Sequence, residues 1–237
     1  MHESDNFKSP SELYVSVGTD IDTGIHISIL IGKIAVLESK NVILQAEINN
    51  LRAEIDNLTY DKLTGLLCAS IARKTLESLV NEGNPFALIF GDLDGLKQIN
   101  DRFGHDRGDE LIATTGEILR NHFRDTDVIL GRPGGDEIWG MFSLAPRDED
   151  SQSPSISPEE RVKIIKQRFK SQVNAGLDQW KQDRLASGED IGYVGFSVGS
   201  AMFKPGDSPD DVINRASKAM AKDKQTNKKR NGVVINN

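Results

Sequence analysis

The chain has 237 residues and a mass of 26.1 kDa, enough for one ordinary domain plus an appendage, and its 37% hydrophobic content suffices for that domain's core. A net charge of −7 and a pI near 5.2 argue against nucleic-acid binding by bulk charge. The single cysteine, Cys68, excludes an internal disulfide and fits a reducing compartment.

Residues 1–26 show no clear period, are broken by Pro10, Gly18 and Gly24, and read as a flexible arm or a partner-docking segment. The first twenty residues are polar and acidic, unlike a secretory signal, and no room is left for a separate sensory domain. The most apolar stretch, Ile25 to Leu37, is interrupted by His26, Gly32 and Lys33 and is too short to span a bilayer. A cytoplasmic protein without membrane insertion is expected.

Residues 27–60 form the next segment, and a heptad repeat runs through it. Ile27, Ile34, Asn41, Ile48 and Ile55 fall at a, and Leu30, Leu37, Leu44, Leu51 and Leu58 at d. Isoleucine at a with leucine at d favours a parallel two-stranded coiled coil, and one asparagine at a sets its register. Across a parallel dimer Lys33 meets Glu38 and Glu47 meets Arg52. The alternative is an amphipathic helix packed on its own domain.

The remainder, residues 61–237, alternates helical and strand patterns. Helices are predicted over 68–82, 95–103, 108–122, 158–185 and 209–224. Strands are predicted over 85–92, 192–203 and 232–235, with a hairpin at 127–131 and 137–143. Such interleaving implies one layered sheet with helices packed on it. The Pro- and Ser-rich run 145–158 reads as a surface loop, and Ser157-Pro158-Glu159-Glu160 opens the next helix with a cap, Pro at N1 and acids in the first turn.

Two motifs carry chemistry. Residues 131–138 read Gly-Arg-Pro-Gly-Gly-Asp-Glu-Ile between apolar runs, the pattern of a hairpin with Gly134-Gly135 at its tip and Asp136-Glu137 just beyond. Asp92 ends the apolar run Phe86 to Phe90, which reads as a buried strand. Carboxylates at a strand end and a neighbouring hairpin tip could share a hard cation such as Mg²⁺, which keeps few protein ligands and is completed by phosphates. Either half taken alone also reads as an ordinary surface turn or strand end.

The text between and around them narrows the choice. Asp61-x-Leu-Thr-Gly-Leu66, Asp92-x-Asp94-x-x-Lys97-x-x-Asn100-Asp101, Phe103-Gly104-His105-x-x-Gly108-Asp109, Arg132-x-Gly-Gly-Asp-Glu137 and Ser197-Val-Gly-x-Ala201 occur in order. Over residues 61–235 the chain resembles the GGDEF family of diguanylate cyclases. The resemblance implies an α/β (α+β) palm-type domain whose central, mainly antiparallel sheet is flanked by helices, here preceded by a parallel coiled-coil stalk helix. It also implies a reaction in which two GTP condense into cyclic di-GMP and two pyrophosphates, with Mg²⁺ or Mn²⁺ as cofactor.

Carried over position by position, Asp92, Asp136 and Glu137 are the metal-site acids and Leu93 offers its carbonyl. Asn100 and Asp109 read the guanine edge. Lys97, Lys224 and Lys228, with the amides of Gly95 and Leu96, contact phosphates. Arg124 and Asp127 fit the family's RxxD product-inhibition motif, with cyclic di-GMP as candidate feedback inhibitor, but one extra residue separates them from the glycines. An extra strand residue flips side-chain faces unless a bulge absorbs it. His105 and Asp106 are expected to serve a turn, and Asp61 and Arg132 to form a structural ion pair.

The departures from the family pattern are Ile138 for phenylalanine, Pro133 before the glycines, Cys68-Ala69 after the lead-in motif, Ser217 for aspartate, and Asn227-Lys228-Lys229 for Gly-Arg-Asn. None removes a metal-site acid or a guanine reader, so an active homodimeric cyclase controlled through its stalk is expected. The layout is similar to short-stalk cyclases on whose stalk a small regulatory protein docks. The alternatives are a non-catalytic module sensing cyclic di-GMP or GTP, and a cyclase making a hybrid dinucleotide, which the retained Asp109 disfavours.

Overall fold

The computed structural model describes residues 21–123, 128–145 and 156–230, with side-chain surroundings from Ile25 onward. The chain divides into two units, one up to Asp56 and one from Asn57.

The first unit consists, among its described residues, of the long helix α1, Ile21–Thr59, which ends inside the second. The helix starts at Ile21, so the arm expected over residues 1–26 already gives way to helix six residues before its expected end. Gly24 does not stop it, because the apolar pattern continues on both sides and one glycine costs only about 1 kcal/mol. In the single chain the stripe Leu30, Ile34, Leu37, Leu44, Ile48, Leu51 and Ile55 is open to solvent.

The second unit is a four-stranded antiparallel sheet with helices on both faces. Its elements are α2 (Ala69–Glu82), β1 (Phe86–Asp94), α3 (Leu96–Phe103), α4 (His105–His122), β2 (Ile129–Gly134), β3 (Glu137–Ser143), α5 (Pro158–Ala186), β4 (Gly195–Met202) and α6 (Pro209–Arg230). The strand order is β2-β3-β1-β4. β1 is central and buried along its whole length. Phe86, Leu88 and Phe90 pack with Ala72, Leu76, Val212, Ala216 and Met220 of α2 and α6. Ala87, Ile89 and Leu93 face the other core, with Leu111, Leu119, Phe169 and Val173 of α4 and α5. Ile138, the departure from phenylalanine, is 1% exposed in that second core.

Both sheet edges carry added hydrogen-bond partners, which reduces their open pairing sites. Beside β2, Leu67 N–H donates to Leu130 O at 3.0 Å and Arg132 N–H to Leu67 O at 2.8 Å. Beside β4, the Asn174 amide pairs like a short strand, donating to Phe196 O at 3.1 Å and accepting from Phe196 N–H at 3.0 Å. Asp223 accepts the Val198 N–H at 2.9 Å.

The helix ends follow their capping residues. Ser157 Oγ accepts the Glu160 N–H at 3.2 Å, as the Ser-Pro-Glu-Glu text implies. Ser208-Pro209-Asp210-Asp211 does the same for α6 and adds the reciprocal bond from Ser208 N–H to Asp211 at 2.9 Å.

Several boundaries differ from the predicted ones; β1 runs on to Asp94 and β2 to Gly134. Helix α4 starts at His105, three residues early, because Gly104 rather than Gly108 makes the break. His105 and Asp106 therefore lie in its first turn and not in a connecting turn. Strand β4 spans Gly195–Met202 instead of 192–203. Helix α6 runs on from the predicted end at 224 to Arg230, so the basic tail is helical. The predicted strand 232–235, most of the loop 145–158, and Arg124 and Asp127 lie outside the described residues.

Candidate active site

The alternation of β1 decides where its acids go. Phe86, Leu88 and Phe90 point at α6, so Asp92 and Asp94 continue that face at the strand's end. In the register, Asp92 lies directly opposite Glu137 of β3 and opposite Ser197 of β4. The hairpin tip is pinned beside them: Leu93 N–H donates to Asp136 O at 3.2 Å. Gly135 takes φ +54 at the turn, a left-handed conformation that glycine adopts without strain. Asp92, Glu137 and the Asp136 backbone thereby lie at the same end of the sheet, beside Leu93.

Strand β2 carries a register shift, while the face taken by Asp127 lies outside the described residues. Gly131 pairs with Trp139 and Gly134 with Glu137, so three steps on β2 meet two on β3. This is a bulge at Arg132-Pro133, where proline has no N–H to give to the ladder. Arg132 uses the kink. Its guanidinium donates to both Asp61 carboxylate oxygens at 3.0 and 3.1 Å and to Gly135 O at 2.8 and 3.0 Å. The expected ion pair thus ties the lead-in segment to the hairpin tip. Burial pushes the Asp61 carboxyl up, but bonds from Thr64 and Arg132 outweigh it and hold it below its ordinary 3.8.

The acids repel one another. Burial raises the Asp92 carboxyl above its ordinary value, and Asp136 and Asp94 add to this while Lys224 opposes it. Glu137 is raised by burial, then by Asp136 and Asp92. The Lys224 ammonium, from α6, rests on Asp92. Its stem is half-buried and its proton is held more tightly than usual, burial being outweighed by Asp92, Asp94 and Asp136.

Among the described residues no three His, Cys, Asp or Glu side chains already converge as a cage for a metal ion. The donor set nevertheless fits Mg²⁺. Its hard oxygens sit beside one another with mutual charge that a cation relieves, and Mg²⁺ needs only one or two carboxylates plus phosphates and water. Lys224, expected at phosphate, stands on the same carboxylate meanwhile.

A second locus lies at the α3–α4 junction. A Cβ on Gly108 would stand 1.8 Å from Asn100 Oδ1, so the absence of a side chain there lets the amide lie over the first turn of α4 beside the exposed Asp109. Asn100 Oδ1 is buried with no hydrogen-bond partner. An acceptor left bare in this way suits a ligand donor such as a guanine N–H. Gly95, at φ +91, turns the chain from β1 into α3, and a Cβ there would meet Tyr193 O at 2.3 Å. The first amides of α3, at Gly95 and Leu96, therefore sit next to the acids. Lys97 is exposed on α3, and Lys228 is half-buried one turn beyond Lys224.

Sequence reasoning assigned no role to Asp94, which is fully buried. Its Oδ2 accepts from Ser197 Oγ at 2.6 Å, and Ser197 Oγ accepts from Asn227 at 2.9 Å. Asn227 accepts from Lys170 at 3.1 Å, and Lys170 binds Asp223 at 2.6 and 2.7 Å. The two-residue spacing of Asp92 and Asp94 was the available signal, since it places both on one strand face.

An antiparallel palm-like sheet with clustered acids at a strand end and a glycine hairpin defines a domain suited to phosphate-linked chemistry. The family description "Diguanylate cyclase, GGDEF domain" matches residues 58–230, and the chain belongs to this family. Diguanylate cyclase DosC of Escherichia coli is 27% identical over 164 residues, 68% of this chain and 32% of its own length. The curated relatives it matches are longer, and the chain spans 12% to 41% of those most similar to it. Among solved structures, the coiled coil and GGDEF domain of DgcB from Caulobacter crescentus, in complex with cyclic di-GMP, superposes with TM-score 0.60 at 23% identity, covering 80% of this chain and 95% of that one. Diguanylate cyclase SiaD of Pseudomonas aeruginosa, in complex with its activator SiaC, gives TM-score 0.56 at 20% identity, covering 91% and 75%. Both share the fold, and the long helix α1 resembles the DgcB stalk. No helix among the described residues is long and apolar enough to cross a membrane.

Proposed function

We infer that this chain is a diguanylate cyclase that joins two GTP into cyclic di-GMP with release of pyrophosphate. The observation that carries the reading is the opposed pair Asp92 and Glu137, with Asp136 pinned beside Leu93. Mg²⁺ or Mn²⁺ would be held by Asp92, Asp136, Glu137 and the Leu93 carbonyl, and when bound it supplies charge neutralisation at the phosphates and a more acidic attacking hydroxyl. Asn100 and Asp109 hold the guanine edge. Lys97, Lys224, Lys228 and the amides of Gly95 and Leu96 orient the phosphates. Glu137 accepts the proton of the attacking 3′-hydroxyl.

Each domain binds one GTP, so two domains must face one another. The open a/d stripe of α1 supports a parallel homodimer that holds them so. Ile29, Val36 and Ile43 form a second exposed stripe, seven residues apart, outside the a/d positions. A two-stranded coiled coil leaves that stripe uncovered, which supports the stalk as the docking place of a regulatory protein. Cyclic di-GMP is the candidate feedback inhibitor through Arg124 and Asp127.

The test is incubation of the purified chain with GTP and Mg²⁺, with products resolved by mass spectrometry, beside Asp136→Ala. Cyclic di-GMP is expected from the wild type and at least about 1,000-fold less from the variant, with unchanged circular dichroism. Equal product from Asp136→Ala would remove the metal-site assignment. No product even from an enforced stalk dimer would favour the rival reading of a non-catalytic sensing module.

A further inference from the structure

We propose that Lys224 is the resident counter-cation of the acidic strand end, and that Asp94 is the second seat to which its ammonium withdraws when a divalent cation takes Asp92. The inference rests on the reading of Asp92, Asp136 and Glu137 as metal-site acids and deepens it.

Asp94 is built as a seat. It is fully buried at the end of β1, on the face that looks at α6. One carboxylate oxygen, Oδ2, is held by Ser197 Oγ at 2.6 Å and faces Tyr193 OH at 3.4 Å. The other, Oδ1, has no hydrogen-bond partner. The Lys224 Nζ lies 3.8 Å from that bare oxygen while resting on Asp92 Oδ1. A buried carboxylate oxygen without a donor is costly, so a fold that orients one through the chain Ser197, Asn227 and Lys170 has a use for it.

The charges supply that use. A divalent cation on Asp92 would lie against the ammonium, and two cations a few ångströms apart repel strongly in a half-buried site. Lysine has a flexible four-carbon stem, so closing the 3.8 Å gap to a hydrogen bond of about 2.8 Å needs only small rotamer changes. Withdrawal to Asp94 keeps the ammonium paired and beside the phosphates. Withdrawal into water would leave Asp94 buried and unpaired, which is the costlier outcome. In the nucleotide-free chain Lys224 therefore competes with metal for Asp92, and Asp94 lowers the cost of displacing it.

The test is Mn²⁺ binding to the nucleotide-free full chain, read from the electron paramagnetic resonance signal of free Mn²⁺. Lys224→Met is expected to tighten binding about tenfold, since the competing cation is gone. Asp94→Asn is expected to weaken it, and to do so at least about fivefold more in the wild-type background than in Lys224→Met. A direct effect of the Asp94 charge on the metal acts equally in both backgrounds, so equal weakening overturns the proposal. Unchanged affinity in Lys224→Met overturns it by itself, whether or not Asp94→Asn folds. Absence of saturable Mn²⁺ binding in both wild type and Lys224→Met removes the metal-site reading instead. Loss of binding in Asp136→Ala identifies the site measured.

Discussion

At the residue scale, the informative side chains are those whose surroundings contradict their solvent preference. Asp92 and Asp94 are carboxylates at the end of a strand that is otherwise apolar, and Lys224 is drawn from α6 onto Asp92 to offset them. Asp61 is the structural counterpart, held by Thr64 and Arg132. Its depressed carboxyl contributes stability that is present above the ordinary value of 3.8 and lost as pH falls through the lower folded value. Asp61→Asn should therefore melt about 3 °C lower at pH 7, corresponding to about 1 kcal/mol. The gap to wild type should narrow as pH drops below about 4. Calorimetry across that range checks both, and a gap that widens in acid would contradict the assignment.

At the element scale, the local signals for capping, turning and periodicity were sound where one residue type has one physical use. Ser157 and Pro158 start α5 as implied, while the hairpin turn is Gly135-Asp136, one residue beyond the expected Gly134-Gly135, because Gly134 pairs with Glu137. The heptad of α1 belongs here too. Asn41 stands at an a position, where a buried amide favours the two-stranded, in-register pairing at some cost in stability. Asn41→Ile should raise thermal stability of the stalk while broadening its assembly beyond the dimer. Light scattering on the full chain would show higher species, and a strictly dimeric variant would count against this register. Boundaries were less legible: Gly104 and Gly108 carry the same sequence signal, and only packing of Gly108 against Asn100 shows which one lies inside the helix.

At the scale of the whole molecule, the proposed reaction needs two nucleotide sites turned toward each other, and the proposed site occurs once in each chain. Activity per chain should therefore depend on pairing through α1. Ile48→Lys places a charge in the stripe and should yield monomers at micromolar concentration, with cyclic di-GMP formation reduced at least about tenfold and partly regained on concentrating the protein. Sedimentation alongside product assays checks this, and full activity in a proven monomer would detach catalysis from the stalk.

The sequence by itself determined the family, the order of the described elements and the heptad of α1, and it supplied the candidate site residues. These depend on short-range spacing: glycines beside acids, a period of two or three and a half, a serine before a proline. Tertiary structure alone decided that Asp94 turns a bare oxygen toward Lys224 and that β2 is bulged at Arg132-Pro133. It alone joined Lys170, Asn227 and Ser197 in one polar chain across α5, α6 and β4. Those pairings join residues far apart in the chain, through strand register and helix docking, and no local propensity encodes the distance between them.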